Sequence, residues 1–313
     1  MTARPVAALL GAPDAVAHHD SFAFVEVSPW RDGAEDGDAI VGSIPAAHAA
    51  NVRTHFAGEP TASSGHLPLP APPELATLRL LAARWAGVDR RALVLYTRRA
   101  EAFTSATRAW FVLAAAGVTD VSILDGGLPA WVRAGGELRA LDPDGPPRGR
   151  EHAAVATVGA GGAADARDAG DAPASVRTLA IDDVEELPRY GTLLDARPAD
   201  AYHGLTGQPR TGHIPGAVHA PAAELLAADG TLVSPLAIRR WFLAHRALGG
   251  HEIAAYCNGG VASSALVFAG ALVGQPVALY VDSWSAWGND PTRPVEQGIP
   301  RSRPSGQDLD CLE

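Results

Sequence analysis

The sequence predicts an α/β protein of two tandem domains, each a mainly parallel sheet flanked by helices on both faces. Three observations carry this expectation. The chain has 313 residues, about two domains' worth at roughly 150 residues each. Its composition, 47% hydrophobic and 19% charged, suits a globular protein with a core to bury. One order of strand, loop, helix and strand also occurs twice along the chain.

In the first half, Ala92-Leu-Val-Leu-Tyr96 reads as a short buried strand. A polar loop, a helix from about Ser105 to Ala116 and a second strand, Val121-Ser-Ile-Leu124, follow it, and Asp125-Gly-Gly-Leu-Pro-Ala-Trp131 closes the unit. In the second half the strand is Ile253-Ala-Ala-Tyr256 and the loop Cys257-Asn-Gly-Gly-Val-Ala-Ser263. The helix then runs from Ser264 to Val273, the next strand is Val277-Ala-Leu-Tyr-Val281, and Asp282-Ser-Trp-Ser-Ala-Trp287 closes the unit. Strand-helix-strand units of this length imply parallel pairing with right-handed crossovers. The spacing of Trp284 and Trp287 suits one helical turn that anchors on the sheet.

A second echo lies upstream. The strand Phe22-Ala-Phe-Val-Glu-Val27 precedes Val41-Gly-Ser-Ile-Pro-Ala-Ala47, and the strand Thr192-Leu-Leu-Asp195 precedes Thr211-Gly-His-Ile-Pro-Gly-Ala217. The chain therefore reads as a duplicated domain: residues 1–140, a linker at 141–175, a second domain at 176–300 and a tail at 301–313. The linker is rich in Ala, Gly, Asp and Pro, a composition that builds no core. The prolines from Pro291 onward mark the chain after Asp290 as irregular.

Composition also excludes functions. The net charge of −10 and pI near 5.5 argue against nucleic acid and anionic membrane surfaces, which call for a basic face. No stretch approaches the ~20 apolar residues of a membrane-spanning helix, and the N-terminus is a poor signal peptide. The chain contains no lysine, which rules out Schiff-base chemistry on a chain lysine and Walker-type phosphate loops. With Cys257 and Cys311 alone there is no disulfide framework, so a reduced, cytoplasmic setting is expected. The histidines lack ligand spacing, so no metal site is expected.

Cys257 carries the chemistry. It follows a buried strand and precedes a helix, so the amides of Asn258, Gly259, Gly260, Val261, Ala262 and Ser263 should curl around its sulfur, with the positive end of the helix dipole behind them. A cradle of this kind favours the nucleophilic thiolate. Gly259 and Gly260 permit the tight curvature and positive φ such a loop needs. The bland alternative is a small buried residue that ends a strand. The same layout serves cysteine phosphatases, but the arginine that closes their loop six places after the cysteine is replaced here by Ser263.

Several motifs together resemble the tandem-domain rhodanese family, which includes thiosulfate and 3-mercaptopyruvate sulfurtransferases. They are Leu194-Asp-Ala-Arg197, Gly212-His-Ile-Pro-Gly-Ala217, the Cys257 loop with Gly260-Val261, Ser283-Trp-Ser-Ala-Trp-Gly288, Ser105-Ala-Thr-Arg-Ala-Trp110 and Leu124-Asp-Gly-Gly-Leu-Pro-Ala-Trp131. The resemblance implies two domains of one fold, the first catalytically silent because Thr97 stands at the cysteine position. It implies double displacement: a Cys257 persulfide, formed from a small anionic donor, passes its sulfur to a thiol, cyanide or a protein cysteine. No metal or organic cofactor and a monomer are the expectation. A sulfur carrier loaded by a protein donor is the alternative.

The resemblance also implies supporting roles. Arg197 and Arg210 are candidate donor-binding residues, Arg197 also being suited to a structural pair, whereas a third arginine is replaced by Ala201. Asp195 would orient the strand end, and His213 would hold its turn by hydrogen bonds. His66 and Trp30 would be buried where the first domain meets the second domain's site. The uncharged Asn258-Gly259-Gly260 loop is closer to the mercaptopyruvate pattern but lacks its serine. Cys311 reads as an exposed thiol in the tail.

Overall fold

The structure is a computed structural model that describes residues 7–29, 40–139, 176–205 and 207–298. The expected linker 141–175, the tail 301–313, Trp30 and Cys311 lie outside the described residues.

The first half runs β1 (Leu9–Leu10), α1 (Ala12–Ala17), β2 (Phe22–Ser28), β3 (His48–Asn51), α2 (Val52–His55), α3 (Pro72–Ala86), β4 (Ala92–Tyr96), α4 (Phe103–Ala115), β5 (Val121–Leu124) and α5 (Gly127–Arg133). The second runs α6 (Ile181–Glu186), β6 (Thr192–Asp195), α7 (Ala199–His203), β7 (Val218–His219), α8 (Pro235–Ala244), β8 (Ile253–Tyr256), α9 (Ala262–Leu272), β9 (Ala278–Leu279) and α10 (Ser283–Trp287). Among the described residues no helix is long and apolar enough to cross a membrane.

Both sheets are parallel throughout, ordered β1-β5-β4-β2-β3 and β7-β6-β8-β9. The second order is the first with β6 for β2, β7 for β3, β8 for β4 and β9 for β5. Even the edge strand β1 has a counterpart, a parallel bridge from Thr178 to Leu279. The repeat read from the sequence is thus a repeat of topology. Each half places one central strand, β4 or β8, so that its carboxyl end opens at the sheet's crevice, where α/β sheets bind ligands.

Strand alternation then decides which way each side chain faces. In β4, Val94 and Tyr96 join a core cluster on the outer face, and Leu93 and Leu95 join the large cluster that runs through both halves. In β8, Ala254 and Tyr256 face outward, so Ile253, Ala255 and, by parity, Cys257 face the other half.

The halves meet where α4 packs on α9. Phe268 sits edge-on to Phe103 at 6.0 Å and to Trp110 at 5.0 Å, and Thr107 shares a 2.8 Å hydrogen bond with Ser264. Full burial of Phe268 alone stabilises the contact by about 2 kcal/mol.

Three sequence expectations need correction. Helix α9 begins at Ala262 rather than Ser264, because Val261 is already in the right-handed helical region and its carbonyl takes the Ser264 amide at 3.2 Å. Strand β9 is shorter than Val277 to Val281, since only Ala278 and Leu279 pair with β8 before the chain turns into α10. Residues 291–298 are irregular but pinned: His213 and Glu296 exchange backbone hydrogen bonds at 2.8 and 3.0 Å, and Trp287 donates its indole N–H to the Pro294 carbonyl. Trp287 is fully buried, as an anchor should be.

Candidate functional site

Cys257 is the first residue after β8 and is 3% exposed. Its amide donates to Ser283 Oγ at 3.2 Å, and its carbonyl accepts the Trp284 amide at 3.0 Å. The Asn258 carbonyl accepts the Ser285 amide at 2.9 Å. The start of α10 therefore fixes the backbone of the cysteine from behind. The sulfur itself accepts a hydrogen bond from Ser263 Oγ at 3.3 Å. Among the described residues, the amides of Asn258, Gly259 and Gly260 donate to no protein acceptor, which leaves them available to an anion.

Gly260 has φ +76, and a Cβ there would stand 2.7 Å from the Val281 carbonyl oxygen and 3.0 Å from Arg108 Nη1. Only glycine fits that position. Gly259 differs: a Cβ would meet His66 and Leu67 at ordinary contact distances, and its φ is not positive. The expected dependence on two glycines thus reduces to Gly260. The loop instead spends strain at Ser283, a non-glycine at φ +55. The matching place in the first half holds Gly127 at φ +56, next to Leu128, whose amide donates to the Thr97 carbonyl at 2.9 Å. Thr97 therefore occupies the cysteine's place in the first half, with its hydroxyl tied to the Arg99 carbonyl at 2.8 Å.

The first half reaches the loop through residues 65–67. Gly65 donates to the Asp282 carboxylate at 3.0 Å and His66 donates its amide to Ser285 Oγ at 2.9 Å. A Cβ at Gly65 would come within 2.2 Å of the Asp282 carbonyl oxygen, so that close approach requires glycine. His66 was expected to be buried at this interface. Its amide is bound there, but the residue is exposed beside Gly259.

Beneath the loop lies Arg108 of α4, fully buried. Its Nε donates to the Phe56 carbonyl at 3.2 Å and its Nη2 to the carbonyls of Leu67 and Pro68 at 2.8 and 3.2 Å, while Nη1 has no partner among the described residues. Burial pushes its pKa down to about 10, against the upward pull of Cys257 and Asp282. This arginine belongs to the motif Ser105-Ala-Thr-Arg-Ala-Trp110, which by itself gives it no role. The available signal was a single cation in an otherwise apolar helix face.

The two candidate donor-binding arginines have other partners. Arg197 pairs with Asp195 through Nε at 2.9 Å and Nη2 at 2.5 Å, donates to the Gly212 carbonyl at 2.7 Å, and lies 4.5 Å over the Trp284 ring. Arg210 donates to the carbonyls of Gly288 at 2.9 Å, Trp287 at 2.7 Å, Arg293 at 2.7 Å and Asp290. It clamps the chain that leaves α10 and is not directed at the sulfur. Ala201 lies in α7. His213 is fully buried, stacks on Tyr202 at 3.9 Å and bonds its carbonyl at 2.9 Å through Nδ1.

A cleft of about 570 Å³ opens between the halves, lined by Phe103 and Thr104 from one side and Ala196, Pro198, Pro221 and Ala262 from the other. It reaches the start of α9. A second cleft of about 580 Å³, lined by Trp110, Gly249 and Gln275, sits at the amino end of β8 and so away from the cysteine.

The rhodanese-like domain family matches residues 180–290. A Mycobacterium tuberculosis protein named as a candidate thiosulfate sulfurtransferase is 33% identical over 274 residues, covering 86% of this chain and 89% of its own length. A Pseudomonas aeruginosa protein named as a probable 3-mercaptopyruvate sulfurtransferase is 34% identical over 305 residues, covering 95% and 98%. The fold is similar to that of 3-mercaptopyruvate sulfurtransferase from Leishmania major, with TM-score 0.64 and 22% identity over 90% of this chain and 74% of that one. With two matching sheets, a cysteine at the carboxyl end of the second, and relatives that span almost the whole sequence, the chain belongs to the tandem-domain rhodanese family of sulfurtransferases.

Proposed function

We propose that Cys257 carries sulfur as a persulfide between a small anionic donor, thiosulfate or 3-mercaptopyruvate, and a thiophilic acceptor. The thiolate attacks the donor's outer sulfur, a new S–S bond forms, and the old bond leaves with its electron pair on sulfite or, after protonation at carbon, as pyruvate. Attack by a thiol, cyanide or protein cysteine on the terminal sulfur then returns the Cys257 thiolate. The observation that carries this reading is the seat of Cys257: a sulfur at the end of a central strand, hydrogen-bonded by Ser263 and followed by loop amides that have no protein acceptor among the described residues. Those amides stabilise a persulfide anion as an oxyanion hole stabilises an alkoxide.

The first half is proposed to hold no chemistry of its own, since the Thr97 hydroxyl cannot accept sulfane sulfur. The domains are taken as 1–140 and 176–300 on this reading. Incubation with each donor, followed by intact mass and a cyanide-to-thiocyanate assay with Cys257→Ser as control, tests the proposal. A gain of one sulfur at Cys257 that cyanide removes supports it. No gain with either donor, from a thiol that still alkylates, refutes small-donor turnover.

A second reading, a carrier loaded by a protein donor, is favoured by one observation: Arg197 and Arg210 are both engaged elsewhere. Persulfide formed only from a protein donor would decide for it.

A further inference from the structure

We propose that Arg108, supplied by the silent first half, is a positioning residue that provides the counter-charge for the sulfur anion at Cys257. This deepens the persulfide reading and rests on it for the later steps, but its test at Cys257 needs no sulfur donor.

Arg108 is 0% exposed, yet among the described residues no carboxylate pairs with it. A buried guanidinium without a counter-ion is costly. Two of its nitrogens are held by carbonyls from residues 56, 67 and 68, which aims the third, unpartnered Nη1 at the underside of the Cys257 loop. Gly260 keeps the approach open, since a Cβ would fall 3.0 Å from Nη1. Among the described residues, Cys257 and Asp282 are the groups that favour its charged form, against its burial.

Other charges near the loop do not substitute for it. Asp195 and Arg197 at the end of β6 neutralise one another, and His66 is exposed beside Gly259. Tyr280, just after β9, is held protonated by burial and the nearby Asp282 charge. Asp282 takes the Gly65 amide and competes with the sulfur for Arg108.

The arrangement also explains what a half without chemistry contributes. Helix α4 brings a permanent positive charge to a site whose own loop, Asn258-Gly259-Gly260, carries none. The thiolate or persulfide and the guanidinium stabilise each other across the interface that α4 and α9 form.

The test is the pH dependence of iodoacetamide alkylation at Cys257, read by peptide mass so that Cys311 does not contribute. In Arg108→Gln the alkylation midpoint is expected to rise by about one pH unit, which slows alkylation roughly tenfold below the midpoint. Arg108→Lys keeps the charge but loses the forked carbonyl contacts. It is expected to melt lower and yet keep a midpoint near that of the wild type, a split that a purely structural role would not produce. Asp282→Asn removes the competing charge and is expected to lower the midpoint.

A folded Arg108→Gln protein with the wild-type midpoint would overturn the proposal. If that variant does not fold, Asp282→Asn decides, and an unmoved midpoint there overturns it. Alkylation requires no sulfur donor, so a wild-type protein that shows these shifts but never gains sulfur would defeat the donor reading and leave Arg108 its role.

Discussion

Ser263 donates its hydroxyl proton to the Cys257 sulfur across 3.3 Å, six residues on and in the first turn of α9. The bond matters most when the sulfur is charged, because hydrogen bonds to charged groups are about twice as strong as neutral ones. Ser263→Ala is expected to slow alkylation and sulfur loading of Cys257 about tenfold, with the fold retained. Rates equal to the wild type would show that the hydroxyl merely packs.

Ser283 is the strained partner. At φ +55 it stands where the first half uses glycine, and its hydroxyl accepts the Cys257 amide while donating to the Tyr280 carbonyl at 2.8 Å. Ser283→Ala keeps the strain and loses both bonds, whereas Ser283→Gly loses the bonds but relieves about 1 kcal/mol of strain. The glycine variant is therefore expected to be the more stable of the two in urea unfolding. The reverse order would mean that the backbone at this position relaxes freely.

The strands β4, β5, β6 and β8 were legible because each is a compact apolar run that ends at a polar loop, and Cys257 was legible because it follows one of them. Arg108 was not, because its meaning depends on α4 lying against α9, a tertiary contact that local periodicity does not encode. Arg210 shows the complementary limit. Its residue type suits an anionic donor equally well as a set of carbonyls, and only the fold of residues 287–293 around it selects the carbonyls.

Arg210 therefore makes a direct test. Its four carbonyl contacts hold the exit from α10, so Arg210→Ala is expected to cost about 2 kcal/mol and to lower the melting temperature, with KM for the donor changed less than about twofold. A large rise in KM at an unchanged melting temperature would return this arginine to the donor site.

His213 gives the fold a pH dependence with a definite sign. Burial holds its imidazole below the ordinary value of 6.5, against the pull of the Tyr202 carbonyl and of Glu296, whose carboxylate lies 3.7 Å from Nε2. The unfolded chain thus binds this proton more tightly than the folded one. Between the lowered value and 6.5 the unfolded state carries more protons, so stability rises with pH across that window and is lost as pH falls through it. In urea titrations, the unfolding free energy of the wild type should drop on acidification below 6.5. His213→Asn, whose amide can keep the Tyr202 contact but cannot take up a proton, should flatten that drop. The difference between the two curves is the measure of the His213 contribution. Parallel curves would mean that the buried ring and Glu296 accommodate the proton in the folded chain.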